Sequence, residues 1–299
     1  MVQPLPATSA RHRAALADER ESAQNRIRWE LLVQLVRTDL KVKYQGSVLG
    51  FAWSLANPLL LMTIYYVIFT KLFDNGIEGY AIYLMAGLLP FTAFSQAVTA
   101  ATQSVTSSAG LVKKVRFPRM VLPMASVGFA MTQFLLQLVL LVVLVLAFSP
   151  ARIGPELLFA IPALALLVLF STALAVLVSA LNVRYRDTSH FVEIAMIVWL
   201  WANPIVYPAG YAKTELDTYH AFWAYFLNPM ATVVTTFQRA VFNQPYYTAP
   251  DGSRALTLPD AGYAFYVRNL VLGFVITALL LLLARRVFTR MQPHFAEQL

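Results

Sequence analysis

The chain has no cysteine among its 299 residues, and only 13% of them are charged. The first absence removes disulfides, thiol nucleophiles and thiolate metal sites. The second argues against a soluble fold, which carries roughly 25% charged residues to cover its surface. Histidine is sparse too. His12, His190, His220 and His294 fall in tails, loops or span ends, and none forms a pair at metal-ligand spacing. There is no Gly-x-Ser-x-Gly motif. There is also no Gly-x4-Gly-Lys-Ser/Thr phosphate loop, and the only Lys-Thr pair, Lys213-Thr214, follows Ala212 rather than glycine. By that motif the chain does not hydrolyse ATP, so energy from ATP would have to come from a partner. Buried mid-span acids and an internal repeat, which ion-coupled transporters tend to carry, are missing as well. Glu193 alone approaches a span, near its end, where a structural role is the simpler reading. The first 29 residues are rich in Ala, Arg and Glu and contain no apolar core of a signal peptide.

What is present is apolar: 59% of the residues, including 20 Phe, 14 Tyr and 5 Trp. Net charge is +8. The basic residues sit between apolar runs, where membrane topology and anionic headgroups explain them better than nucleic acid does. A spanning helix needs about 20 mainly apolar residues. Charge-free stretches place six: about 48–69, 80–101, 121–148, 157–181, 191–207 and 264–284. With the N-terminus inside, only Lys71, Arg152, Lys213, Arg239, Arg254 and Arg268 of the 23 Lys and Arg fall outside, which sets the orientation and puts both termini in the cytosol. The expected fold is therefore an all-α polytopic membrane protein.

Around the spans, residues 1–26 are expected to form a partly disordered cytosolic arm and 291–299 a cytosolic tail. Over 27–43, Trp29, Leu32, Val33, Val36 and Leu40 share one helical face, with Glu30, Gln34, Arg37, Thr38 and Lys41 on the other. That pattern predicts a basic amphipathic helix at the membrane interface. Residues 208–262 are too long for a simple loop, and their apolar middle, Phe222–Phe242, is broken by Asn228-Pro229. Two readings stand here: a re-entrant helical hairpin packed on protein, or a surface helix on the outer face.

The most informative residues punctuate the cytosolic side. Before the first span runs Tyr44-x-Gly-Ser-x-Leu-Gly-x-x-Trp53. Between the second and third lie Lys113, Lys114, Arg116, Phe117, Pro118 and Arg119, then Leu122-Pro123. Between the fourth and fifth comes Arg184-Tyr185-Arg186-Asp187. Pro204-x-x-Tyr207 and Asn228-Pro229 ahead of Arg239 complete the set. Each alone is explained by positive-inside charge and helix ends. Together, in this order and over about residues 27–290, they resemble the membrane subunit of type-2 ABC exporters that move lipid-linked polysaccharides such as O-antigen, teichoic acid or galactan. Asn203, where a small hydroxyl residue is expected, and Lys43, where arginine often precedes the tyrosine, depart from the pattern and leave the substrate open.

The resemblance implies a homodimeric pore in the inner membrane, with two ABC ATPase subunits beneath it. ATP and Mg would be bound by those partners, and this chain would hold no cofactor or metal and have no catalytic residues. Lys113–Arg119 and Arg184–Asp187 would transmit nucleotide-driven closure. Arg37, Lys41, Lys43 and Tyr44 would form a rim for a lipid diphosphate, although ordinary headgroup binding explains such cations too. Glycans present apolar C–H faces, so aromatic rings suit a conduit. The candidates are Phe51, Trp53, Tyr65, Tyr66, Tyr83, Phe91, Phe94, Trp199 and Trp201, with interfacial belts or packing as the alternative. Competing functions are export of a small lipid or drug, and an enzyme acting on isoprenoid lipids, for which only Asp39, Asp187 and Glu193 are available as surface acids.

Overall fold

A computed structural model describes residues 7–47, 49–50, 52–68, 76–115, 117–148, 154–217, 222–248, 252–259 and 262–299. Of the candidate site residues, Phe51 and Arg116 lie outside this set. The chain opens with α1, Ala7–Tyr44, a single helix of 38 residues. The arm expected over 1–26 is thus helical from Ala7 onward. Alanine, arginine and glutamate are strong helix formers, and no Gly or Pro interrupts them between Ala7 and Tyr44.

Helices α2 (Ala52–Tyr66), α3 (Tyr80–Ser107), α4 (Ala109–Lys114) and α5 (Val121–Phe148) follow. A 3-10 turn, Pro155–Phe159, leads into α6, Ala160–Arg184, and then α7, Thr188–Trp201. Three short helices come next: α8, Ala209–Asp217; α9, Phe222–Tyr225; and α10, Pro229–Val241. A two-stranded antiparallel ribbon pairs β1, Tyr246–Thr248, with β2, Arg254–Leu256. The chain ends in α11, Tyr263–Met291, and α12, Phe295–Gln298.

Among the described residues, four helical stretches are long and apolar enough to cross a membrane: Tyr80–Ser107, Val121–Val143, Pro155–Arg184 and Tyr263–His294. The segments expected as first and fifth spans are shorter helices of 15 and 14 residues, each about 21–23 Å long at 1.5 Å per residue. The expected fifth span stops at Trp201 rather than 207. Pro204 disfavours helical backbone at Asn203, and the chain leaves the helix there.

Helix α3 is the hub. Eighteen of its 28 residues are buried, among α2, α5, α6, α7 and α10. Lipid offers little hydrophobic drive between helices, so close packing must supply the cohesion. Small residues on α3 allow it. A Cβ on Gly87 would stand 2.9 Å from the Gln238 amide nitrogen of α10. Gly128 plays the same part on α5, where a Cβ would meet Val36 of α1 at 2.9 Å. Farther along both helices, Lys43 reaches Gln133. The second half of α1 therefore runs beside α5. Its apolar positions Leu32, Val33, Val36 and Leu40 are half-buried and its polar ones exposed, as the periodicity predicts, but Trp29 is exposed.

Helix α10 is buried along its whole length, which excludes the surface-helix reading of this segment. The ribbon was not expected. Its signal, Asp251-Gly252 between two short runs, is a recognised hairpin pair.

Candidate transport and coupling sites

The long helices give the molecule two distinct ends. One carries α4, the α6–α7 turn and the C-terminus. The other carries the 3-10 turn, the segment from α8 to α10 and the ribbon.

At the first end, Lys113 and Lys114 close α4 and are exposed, while Phe117, Pro118 and Arg119 are half-buried. Arg184, Tyr185, Arg186 and Asp187 are all exposed, and the Arg184 guanidinium lies 5.3 Å from the Tyr185 ring centre. Thr188 donates from its hydroxyl to the Tyr185 carbonyl at 2.6 Å and fixes the turn. Between these motifs sits the C-terminus, which the sequence presents as a simple tail. Arg119 donates from Nη1 to the Gln292 carbonyl. Phe295 is fully buried in a cluster with Val105, Val112, Leu122, Val183 and Phe288, its ring edge-on to Phe288 at 5.3 Å. A cleft of about 400 Å³ lies between Phe117, Arg119, Thr289, Gln292 and Pro293. A second, of about 430 Å³, is bordered by Gln103, Asn182, Arg186, Ser189 and Leu299. The basic turns are thus joined through the last eight residues of the chain. The clue lay in Phe295, a large apolar residue in a polar tail.

On the α1 side, Arg37 and Lys41 are exposed. Lys43 is committed to α5: it donates from Nζ to Gln133 Oε1 at 3.0 Å and stands 5.2 Å from the Phe129 ring centre and 5.8 Å from that of Tyr44. Partial burial lowers its pKa from the usual lysine value. Tyr44 is half-buried at the helix end. Of the four rim candidates, Arg37, Lys41 and Lys43 keep exposed surface, and Lys43 alone among these three is also bonded to α5.

The aromatic candidates divide sharply. Tyr83, Phe91 and Phe94 are buried in the core, so the structure places them in packing rather than on any wall. Tyr83 donates through a shared hydroxyl to the carbonyls of Pro204, at 3.1 Å, and Tyr207, at 2.9 Å. Phe94 stacks on Phe170 at 5.3 Å, and Trp199 meets it edge-on at 5.3 Å. Trp199 is half-buried, and so are Tyr65 and Tyr66; Trp53 and Trp201 are exposed.

At the second end, polar groups hold non-helical backbone in place, as burial away from water requires. Tyr80 donates to the Val206 carbonyl at 2.6 Å, and Gln238 donates to that of Pro204 at 2.8 Å. Asn228 caps α10 by accepting from the Met230 amide at 3.1 Å, accepts from the Trp199 indole at 3.1 Å, and donates to Asn203 at 3.1 Å. Arg239 lies 3.6 Å from Glu156, and both are buried. Asn243 completes the cluster. Its side chain accepts from Arg239 at 2.7 Å and donates to Glu156 at 3.1 Å, while Tyr263 donates to the same carboxylate at 2.7 Å. Asn243 has φ +50° and its amide donates to the Gln238 carbonyl, so it also ends α10. Glu156 was not singled out from the sequence, where it resembles any loop acid.

Among the described residues, no group of three or more His, Asp and Glu could hold a metal ion. Of the acids that an enzyme reading requires, Asp39 lies on α1, whereas Asp187 stands at the N-cap of α7 and Glu193 lies within that helix.

The sequence profile of the ABC-2 type transporter family matches residues 30–242. The O-antigen export system permease protein RfbA of Myxococcus xanthus is 31% identical over 269 residues, covering 90% of this chain and 95% of that protein. A protein of the same description from Klebsiella pneumoniae is 27% identical over 270 residues, again 90% and 95% of the two chains. A second from Klebsiella pneumoniae is 31% identical over 218 residues, 72% of this chain and 81% of its own.

Proposed function

Given that this chain belongs to the ABC-2 type transporter family, we propose that it is the permease of an exporter that moves a lipid-diphosphate-linked polysaccharide of the O-antigen, galactan or teichoic-acid type. It is a transporter membrane subunit, multi-pass in the bacterial inner membrane, and not an enzyme. The family implies an ABC ATPase as partner. In this reading two copies form the pore over two ATPase subunits, which bind ATP and Mg. Both termini are cytosolic, and α2 and α7 complete six spans.

One observation carries the reading: the exposed basic turns at Lys113–Lys114 and Arg184–Asp187 stand at one end of a chain without a phosphate loop. They offer a separate ATPase two contact points joined by the docked C-terminus. Arg37 and Lys41 supply charge for the diphosphate. Trp53 and Trp201, with the half-buried Tyr65 and Tyr66, supply aromatic surface for the glycan.

The test is export in reconstituted vesicles containing this chain, the ATPase encoded beside its gene, ATP and a diphosphate-linked glycan. ATP-dependent passage of the glycan is expected. Hydrolysis without glycan movement would favour a small-lipid or drug exporter, and failure of any ATPase to copurify would overturn the transporter complex.

A further inference from the structure

The ribbon β1–β2 stands beyond the buried Glu156–Arg239 cluster, at the end opposite α4. Between it and the approach to α3 lies a cleft of about 570 Å³, within the roughly 300–1,000 Å³ range of small-molecule sites. Glu78, Asn243, Gln244, Tyr246, Tyr247 and Arg254 border it. We propose that this cleft is a sugar-binding subsite on the delivery side of the membrane, which receives the glycan as it leaves the pore. The proposal rests on the export reading for its side of the membrane and for its substrate class.

The chemistry of the border selects the ligand. A sugar ring offers hydroxyls that both donate and accept, and patches of C–H. Beyond the Asn243 amide, which is held by the ion pair, the cleft offers the Gln244 amide, two phenols, a carboxylate and a guanidinium, which together supply donors and acceptors in mixed order. Among the described lining residues, the one carboxylate and the one guanidinium balance in charge. A phosphate or an anionic headgroup would call for a cationic excess, so a neutral polyhydroxylated ligand fits better.

The aromatic surface is fixed as well. Arg254 lies 4.1 Å from the Tyr246 ring centre, a distance at which cation and ring attract. Arg254 pairs across the ribbon with Thr248, and Tyr246 with Leu256, which sets the ring in register. A cation of this kind covers one face of a ring, and Tyr246 keeps 41% of its surface exposed. The floor is rigid for a separate reason: Asn243 borders the cleft and also bridges the buried ion pair. Ribbon strand β2 rests on α8, where any side chain on Gly210 would strike the Leu256 backbone. Ring and floor are therefore preorganised, which reduces the ordering cost of binding.

The experiment titrates the purified chain into three reducing-end-labelled hexasaccharides, built of galactose, mannose and rhamnose, and reads fluorescence polarisation. At least one is expected to bind, and Tyr246→Ala with Arg254→Ala should weaken it by about tenfold or more. An Arg285→Ser, Arg286→Ser variant, exposed at the far end of α11, should bind as the wild type does. Both ribbon side chains lie outside the buried cluster, and an unchanged melting temperature confirms that the variant is folded. No binding of any of the three, or binding indifferent to the ribbon substitutions, overturns the proposal. Vesicle export separates this from failure of the export reading. Glycan export without hexasaccharide binding removes the subsite alone, whereas ribbon binding without export removes the exporter alone.

Discussion

Glu156 and Arg239 show how much one pair of side chains can carry at the end of a membrane protein. The two charges are buried and shared with Asn243 and Tyr263. Removing one of them leaves the other uncompensated, a change that costs about 3–5 kcal/mol in buried pairs. Glu156→Gln is therefore expected to lower the melting temperature in detergent markedly. The double variant Glu156→Gln with Arg239→Met should lose less than the sum of the single losses, and additive losses would show that the pair is not coupled. Gly128 is the second sensitive position. Gly128→Leu forces α5 away from Val36 and should destabilise the protein by about 1–3 kcal/mol, read as earlier melting and faster proteolysis of α1. The sequence disclosed half of the ion pair. Arg239 draws attention as a lone cation after an apolar run, whereas Glu156 follows Gly-Pro in what reads as a solvent loop. Nothing local links two residues so far apart in the chain.

At the level of elements, the helix ends divide into those governed by local chemistry and those governed by packing. Asn228-Pro229 gives the start of α10 because a side-chain cap and a fixed φ act within two residues. The stop of α7 before Pro204 follows from the same kind of rule, yet apolar residues through Val206 conceal it in a hydropathy reading. The early start of α1 was obscured because charge-rich composition suits both a helix and a solvated arm. The C-terminal segment is a third case, since its place depends on a pocket assembled by α3, α4, α5, α6 and α11. Its docking yields a prediction. Truncation after Met291 removes the acceptor for Arg119 and the buried Phe295 ring. The shortened chain should still insert and bind its ATPase, but the ATPase should lose its stimulation by the lipid-linked glycan. Full stimulation would return the segment to a passive role. Lys113→Ser with Lys114→Ser, which spares Arg119, should instead weaken copurification of the ATPase, and unchanged recovery would remove those lysines from the contact.

Across the whole molecule, polar work is concentrated at the two ends and the middle is left to apolar packing. Along α11, Val267, Val271, Val275, Leu279 and Leu282 form an exposed stripe at helical spacing, the surface expected against lipid. Val275→Asp places a charge near its centre, at about 2.5–3.5 kcal/mol on insertion scales. The fraction of chain recovered in membranes should fall, and an unchanged fraction would mean that this face meets water or protein instead. The fold class, the long helices and the basic turns were legible from hydropathy and charge because the bilayer imposes length and sidedness on every span. The sorting of the aromatic residues was not, since Tyr83 and Trp53 obey the same composition rules and differ only in what surrounds them. One consequence of that sorting is optical. Trp29, Trp53, Trp201 and Trp223 are exposed, while Trp199 alone is half-buried, its indole N–H held by Asn228 at the head of α10. In a chain whose other four tryptophans are phenylalanine, emission wavelength and quenching would follow the separation of α10 from α7 in real time, so the protein carries its own gauge of that contact.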